Sequence, residues 1–586
     1  MSYPANRLQD RKILYRLIVL AFIVIWGAIQ AWNSRFELYF ADSQQYFDSA
    51  GYFSRGDFAR AVSTYWSPLY PALFALVLKF VPVSAYWQFF ELKVFNLACL
   101  VGTFFAFEFF FAQFHSYYVN AILSKDPERA AVSQSVLHWT GYALFVYYAL
   151  GFGGVNQDTP DMLNAALIFL ASGLMLRQLS STPTAKGACL LGITLGFGYL
   201  CKAVMASMTV IYLSLTFIFN RNIACLLSSI ACFALVAAPW VITMSDRAGH
   251  LSFGESGKFV YINHVEEINP VWTDGVIHQP RVLHQEPRVV DYGDKIAGTT
   301  PIMYDYGYWA AGAIVHVRFH QVLKALSCNI FYFIRTFLYL PLLILAVATI
   351  GSRRWTLPWR ALWVSAPIWV PPCALIVAYT VVGNLYIDTY ITRYFIAIYP
   401  ITVLALLVAV RLPGEKASLL RKICLLTAAL CVLLAFSTKF VGDVADLFQE
   451  KRNVWYAAAM ALKHDGIKYG DAIAQVGVRV QRNYQYAEPE KLHVVANIED
   501  EKQFWQLSAQ KRQEVLDVVK QTGARVVVYA RIPDVEDPVI TTDLKIVRAL
   551  LNIDLKLPFK QYMPPTDLTG WKQVPGCEIY YYLLDK

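Results

Sequence analysis

Two short polar segments carry carboxylates where an apolar run gives way to polar chain. One reads Phe40-Ala41-Asp42-Ser43-Gln44-Gln45-Tyr46 and the other Asn156-Gln157-Asp158-Thr159-Pro160-Asp161. Acids beside an apolar slab tend to have raised pKa values and to mark functional sites. A positioned Asp can take the proton of a hydroxyl as it attacks an electrophile. If that electrophile is a sugar carbon, the transition state is cationic and a nearby negative charge also lowers its energy. A phosphate leaving group would need a cationic clamp. Cations are scarce in the segments that share a side with these acids: Lys202, Arg393, Lys79 and Lys258. Each residue also has a structural reading. Asp42 with Gln45 matches a helix N-cap pair. Thr159-Pro160-Asp161 is a good helix start, and lone lysines and arginines snorkel from an interface.

The elements that must hold these residues are membrane helices. The chain has 586 residues, 57% hydrophobic and only 16% charged, against roughly 25% charged in soluble domains. That excludes a disordered chain and a small disulfide scaffold, and it argues against a soluble enzyme. The net charge of +9 is spread over basic clusters between apolar runs and does not point to nucleic acid. Runs near 13–32, 91–114, 135–152, 161–177, 187–201, 203–220, 222–243, 328–350, 361–383, 393–411 and 420–441 predict eleven crossings. The stretch 187–219 carries one charge, Lys202, and predicts a tight hairpin turning there. Arg7, Arg11, Lys12 and Arg16 precede the first run, which places the N-terminus in the cytoplasm. Alternating from that start keeps Arg353, Arg354, Arg360, Arg411 and Lys416 inside. Residues 68–83 are apolar but short, with Pro71, Pro82 and Lys79, and read as an amphipathic helix on the outer interface.

This arrangement leaves three pieces outside, 33–90, 244–327 and 442–586, and divides the chain into a membrane domain (1–441) and an outer domain (442–586). The outer domain has ordinary soluble composition. Helical periodicity at Val454–Lys463 and Gln503–Thr522 alternates with β-rich runs at Ala472–Val476, Leu492–Ala496, Arg525–Ala530 and Ile579–Leu584, predicting a small α/β domain. Aromatics crowd the first outer piece (Tyr46, Tyr52, Tyr65, Trp66, Tyr70 among them) and predict an interfacial belt or, alternatively, a sugar platform. Histidines gather in 244–327, but His316 and His320 alone are a weak metal motif, and no CxxC spacing occurs.

Ala41-Asp42-Ser43-Gln44-Gln45-Tyr46, Gly56-Asp57-Phe58 and Tyr65-Trp66-Ser67-Pro68-Leu69-Tyr70-Pro71 resemble the first outer loop of the GT-C glycosyltransferases. The nearest branch is the bacterial relatives of protein O-mannosyltransferases and the lipid A aminoarabinose transferase. Gly192-x-x-x-Gly196-x-Gly198-Tyr199-Leu200-x-Lys202, Pro239-Trp240, Phe253-Gly254-Glu255-Ser256-Gly257-Lys258 and Arg393-Tyr394-Phe395 extend the likeness over about residues 10–440. The resemblance implies a polytopic α-helical protein of the cytoplasmic (inner) membrane with an outer α/β domain. It implies an inverting transfer of a sugar from a polyprenyl-phosphate donor to a lipid, glycan or protein acceptor, with membrane lipids as neighbours and no nucleic acid. Asp42 would be the first-loop catalytic acid and Asp158 the second acid near the sugar. Lys202 and Arg393 would meet the phosphate, and Asp161, Tyr46, Lys258 and His264 would complete the substrate site. Relatives often carry an Asp-Glu pair where this chain has Asp42-Ser43, which weakens a metal-dependent version while leaving a divalent metal open. A transporter or lipid flippase is the rival reading. It would need polar residues deep in the spans, where Glu108 and His138 stand isolated.

Overall fold

The computed structural model describes residues 3–39, 41–126, 128, 130–293, 306–337, 359–382, 393–409, 412, 414–477, 484–530 and 568–584. Apolar runs with no polar face have only one way to satisfy their backbone in lipid, which is to form helices. The helices that follow from this are α1 (Tyr3–Asn33), α2 (Ala41–Arg55), α3 (Leu69–Phe80), α4 (Gln88–Tyr117), α5 (Gln134–Val146), α6 (Asp161–Ser180), α7 (Ala185–Cys201), α8 (Val204–Asn220), α9 (Ile223–Ala248), α10 (Ser256–His264), α11 (Phe319–Phe337), α12 (Trp359–Val382), α13 (Ile398–Ala409) and α14 (Ala417–Ala435). Among the described residues, six helices are long and apolar enough to cross a membrane: Ile13–Asn33, Gln88–Leu123, Asp161–Ser180, Ile223–Ala248, Leu362–Val381 and Gly414–Ala435. The protein is a multi-pass helical membrane protein. Three further expected spans, at α7, α8 and α13, are shorter apolar helices, and the 328–350 run lies partly outside the described residues.

Rings of Phe104, Phe107, Phe110, Phe145 and Phe169 pack in tilted and edge-to-face pairs within the core of the bundle. The hairpin expected at Lys202 is present, with α7 ending at Cys201 and α8 starting at Val204. Its glycines work in packing. A Cβ on Gly192 would stand 2.2 Å from the Ser229 carbonyl oxygen of α9, so only glycine lets the two backbones approach this closely.

The first outer piece is helical rather than a loop. Helix α2 ends where Gly56, at φ 75°, takes the left-handed conformation. Gly56 N–H then bonds to Phe53 O and Asp57 N–H to Tyr52 O, closing the helix end. Helix α3 has 12 residues, about 18 Å, too short to cross a bilayer. As the sequence predicts, it is two-faced: Tyr70 and Phe74 are buried, Leu76 and Phe80 exposed.

The outer domain is built on β3 (Ala472–Val476), β4 (His493–Ile498), β5 (Val526–Ala530), β6 (Lys572–Gln573) and β7 (Ile579–Leu583), close to the runs read from sequence. The helix expected over Gln503–Thr522 is instead two, Glu501–Gln506 and Ala509–Lys520. Ser508 separates them, because its hydroxyl caps the second by accepting from Lys511 N–H. The piece 244–327 is not independent of this domain. Its strands β1 (Arg281–Gln285) and β2 (Arg288–Asp291) form an antiparallel hairpin whose second strand pairs with β4. The seven-stranded order is β1-β2-β4-β3-β5-β7-β6, with β3 parallel to β4 and β5.

One face of that sheet shares a core with the first outer piece, where Leu38, Tyr46, Phe47 and Phe74 cluster with Ile473, Tyr486, Val494 and Val526. Tyr46, Trp66 and Tyr70 in this core, and Tyr52 in a separate small cluster with Ala61, are buried, so the interfacial belt expected of them is corrected. Polar tips of a belt face water, whereas these rings are enclosed.

Candidate active site

Helix α6 starts at Asp161 because Pro160 cannot continue a preceding ladder and Asn164 N–H closes the first turn on Pro160 O. An acid at that helix N-terminus is favoured by the dipole. The same position aims Asp161 into the bundle, where its carboxylate meets two cations. Lys202 bonds to Asp161 Oδ1, and Arg393 Nε lies 3.0 Å from Asp161 Oδ2. Thr159 Oγ1 donates to the same Oδ2 at 2.8 Å. Arg393, just ahead of α13, then reaches across to the first outer piece, where its Nη2 donates to Asp42 Oδ2 at 3.0 Å. Asp42 stands in the first turn of α2. Four residues from four distant parts of the sequence thus form one chain of alternating charge, Asp42–Arg393–Asp161–Lys202.

Exposure divides this chain. The side chains of Arg393 and Asp161 are 3% and 4% exposed, whereas those of Asp42 and Lys202 are 24% and 20% exposed. The buried pair holds the geometry, and the outer pair is available to a ligand. Burial works against the Lys202 ammonium, but Asp161 outweighs it and raises its pKa. Its Nζ sits 3.4 Å from the centre of the Tyr394 ring, itself stacked on Tyr379. Tyr65 and Tyr306 close the other side, 5.1 Å apart. Burial first, and the Asp42 charge second, push the Tyr306 phenol up to about 12. Tyr46 is buried against Trp66 and Tyr70, with its ring centre 5.1 Å from that of Trp66.

Asp158 does not join them. It is fully buried, and its Oδ2 accepts from Lys93 Nζ at 2.5 Å and from Tyr39 N–H at 3.0 Å, while Oδ1 accepts from Asn96 at 2.9 Å. Burial pushes its carboxyl up from the ordinary range, and the Lys93 ammonium pulls against that. Three hydrogen bonds and full burial give Asp158 the surroundings of a structural anchor. Lys258 is also elsewhere, 3.9 Å from Glu255, whose other oxygen accepts from Thr64. These lie near a narrow cleft with space of about 10 Å³, lined by Thr64, Tyr65, Trp66, Tyr199, Trp240 and Phe253 among others. Asp42 is not among the residues that line this cleft. His264, at the end of α10, is held neutral, since burial drops its pKa to about 4.

Sequence reasoning missed Lys93 and Asn96, which look like part of an apolar span. A charge inside such a run was the available signal, because it requires a buried partner. Arg393 and Lys202 pair with Asp42 and Asp161, and among the described residues no three His, Cys, Asp or Glu side chains come together as a ligand set.

No family model matches the sequence, and no curated protein does. Solved structures do resemble the chain trace. The Archaeoglobus fulgidus oligosaccharyltransferase complex with Zn and sulfate is 11% identical, with a TM-score of 0.44 over 87% of this chain and 68% of that one. AglB, the archaeal oligosaccharyltransferase from Archaeoglobus fulgidus, in complex with an inhibitory peptide and a dolichol-phosphate, gives 11%, 0.44, 89% and 70%. ArnT from Cupriavidus metallidurans bound to undecaprenyl phosphate gives 11%, 0.38, 97% and 98%.

Proposed function

We propose that this protein is a membrane glycosyltransferase that moves a sugar from a polyprenyl-phosphate donor to an acceptor hydroxyl, at the extracytoplasmic face of the cytoplasmic membrane. The observation that carries the reading is the Asp42–Arg393–Asp161–Lys202 chain, with its two water-reachable ends a carboxylate and a cation. It joins the sequence resemblance to a geometry that can do this chemistry.

In the proposed reaction the acceptor oxygen attacks the anomeric carbon from the side opposite the phosphate. The new C–O bond forms as the sugar–phosphate bond breaks, so configuration inverts. Asp42 takes the acceptor proton. The bonding pair leaves with the phosphate, whose charge rises from about −1 in the diester to about −2 in the released monoester. Lys202, with Arg393 behind it, faces that growing charge, which makes the pair more useful in the transition state than in the ground state. Asp161 holds both cations in place. Asp158, buried on Lys93, serves the fold of the site rather than the bond exchange.

The test is to incubate the purified protein with labelled polyprenyl-phosphate sugars and a membrane extract as acceptor source. Support is release of polyprenyl phosphate matched by an inverted glycoside in the product. Tracer flux across proteoliposomes, with the sugar–phosphate bond intact, would replace this reading with transport.

A further inference from the structure

A polar turn of the outer domain, residues 484–488, meets the chain on both sides of Asp42. Gln485 is 1% exposed and uses both ends of its amide on one residue: its Nε2 donates to Leu38 O at 3.0 Å, and its Oε1 accepts from Leu38 N–H at 2.9 Å. The contact is returned from the other side. Gln44, 2% exposed, donates to Tyr484 O at 3.3 Å and to Glu488 Oε1 at 3.4 Å. Lys491 reinforces it, 2.5 Å from Glu488 Oε2 and 3.9 Å from Asp48. Residues 38 and 44 bracket Asp42. From beneath, Tyr39 N–H is fixed by Asp158. The backbone entering Asp42 is therefore gripped from two sides, by the membrane bundle at Tyr39 and by the outer domain at Leu38.

We infer that the outer domain sets the position of the Asp42 carboxylate, and that Gln485 is the positioning residue through which it does so. A side-chain amide that satisfies both backbone groups of a chain segment copies a strand pairing and fixes that segment's register. Burial makes the pairing hard to replace, since water cannot reach Leu38 N–H if Gln485 is lost. Placement matters because a shift near 1 Å can cost about 100-fold in rate. The inference rests on the proposed function only for what Asp42 does, not for the grip itself.

Gln485→Leu keeps the side-chain volume and removes both bonds, while Gln485→Glu keeps the acceptor alone. Amide hydrogen exchange is followed in the full-length protein in detergent without substrate, alongside steady-state transfer. In Gln485→Leu, exchange in the peptide covering 36–44 should accelerate at least tenfold while strands β3 and β4 keep the wild-type rate. The kcat should fall about 10- to 100-fold with the donor KM within about twofold, and Gln485→Glu should fall between. Unchanged exchange at 36–44, or acceleration spread equally through β3 and β4, overturns the inference, as does faster exchange with wild-type kcat. If Gln485→Leu does not fold, Gln44→Leu is read in the same way. A wild-type protein that transfers no sugar defeats the glycosyl-transfer reading alone, because the exchange result still decides the grip.

Discussion

Asp42 and Asp158 look alike in sequence, yet they end in opposite surroundings. Each follows an apolar run, and each finds a cation. Asp158 is sealed, with Lys93, Asn96 and Tyr39 N–H donating to it. Asp42 touches Arg393 and keeps part of its side chain in reach of water. The difference is which element supplies the cation. Lys93 comes from within a membrane helix and draws Asp158 down into the bundle. Arg393 comes from just ahead of α13 and leaves Asp42 partly exposed. In the proposed reading, a carboxylate–cation pair becomes a strut or a reactive group according to how much of it water and substrate can approach.

Breaking the buried pair should have the largest effect on stability. Lys93→Met leaves Asp158 without its partner in a dry site, and should cost about 3–5 kcal/mol. A thermal unfolding curve measures this, and the double variant Lys93→Met with Asp158→Leu should recover a large part of the loss. Recovery would sharpen the contrast, since a strut can be replaced by apolar packing and a reactive group cannot. Arg393→Met acts on the other pair. It frees Asp42 and half of Asp161 together, and transfer should fall about 100- to 1000-fold in a single-turnover assay. Equal losses of stability in both variants, with transfer unaffected by Arg393→Met, would break the distinction.

The smallest expected effect concerns His264, which shares burial with Asp158 and lies outside the Asp42 cluster. Its folded pKa of about 4 is below the ordinary value of 6.5, so the unfolded chain binds more protons between those values. Stability is full above pH 6.5 and is lost as pH falls toward 4. The unfolding free energy at pH 5 should be about 2 kcal/mol lower than at pH 7 from this group, and His264→Gln should remove that part of the slope. A slope identical in the variant would mean that His264 is not the group responsible.

Much of the candidate site was legible because the segments predicted to lie outside are so poor in charge that their few acids and cations stood out. Asp42, Asp161, Lys202 and Arg393 were all read as candidates, and the structure brings these four together. The ranking within them was not legible. Asp158 and Asp161 are three residues apart, and only a tertiary fact, the position of Lys93 beneath Asp158, separates their surroundings. Lys93 hides in sequence because helical apolar content dominates its neighbours. Gly56 and the Gly192–Gly196 run carry part of the family likeness, yet here they close a helix and let α7 meet α9. In the fold, apolar runs located the helices well, since lipid leaves the backbone few options. The hairpin β1–β2 escaped because its partner β4 lies some two hundred residues on, at Asn497 opposite Val290. Gln485 escaped for the same reason, since no local pattern links it to Leu38.

The most direct measurement is single-turnover transfer by Asp42→Asn at saturating polyprenyl-phosphate sugar, with donor binding followed in the same preparation. Asn keeps the volume and can still accept from Arg393, but it takes up no proton. The expected result is donor binding close to wild type with transfer about 100- to 10,000-fold slower. Transfer within twofold of wild type by the folded variant would contradict the assignment of Asp42 as the base.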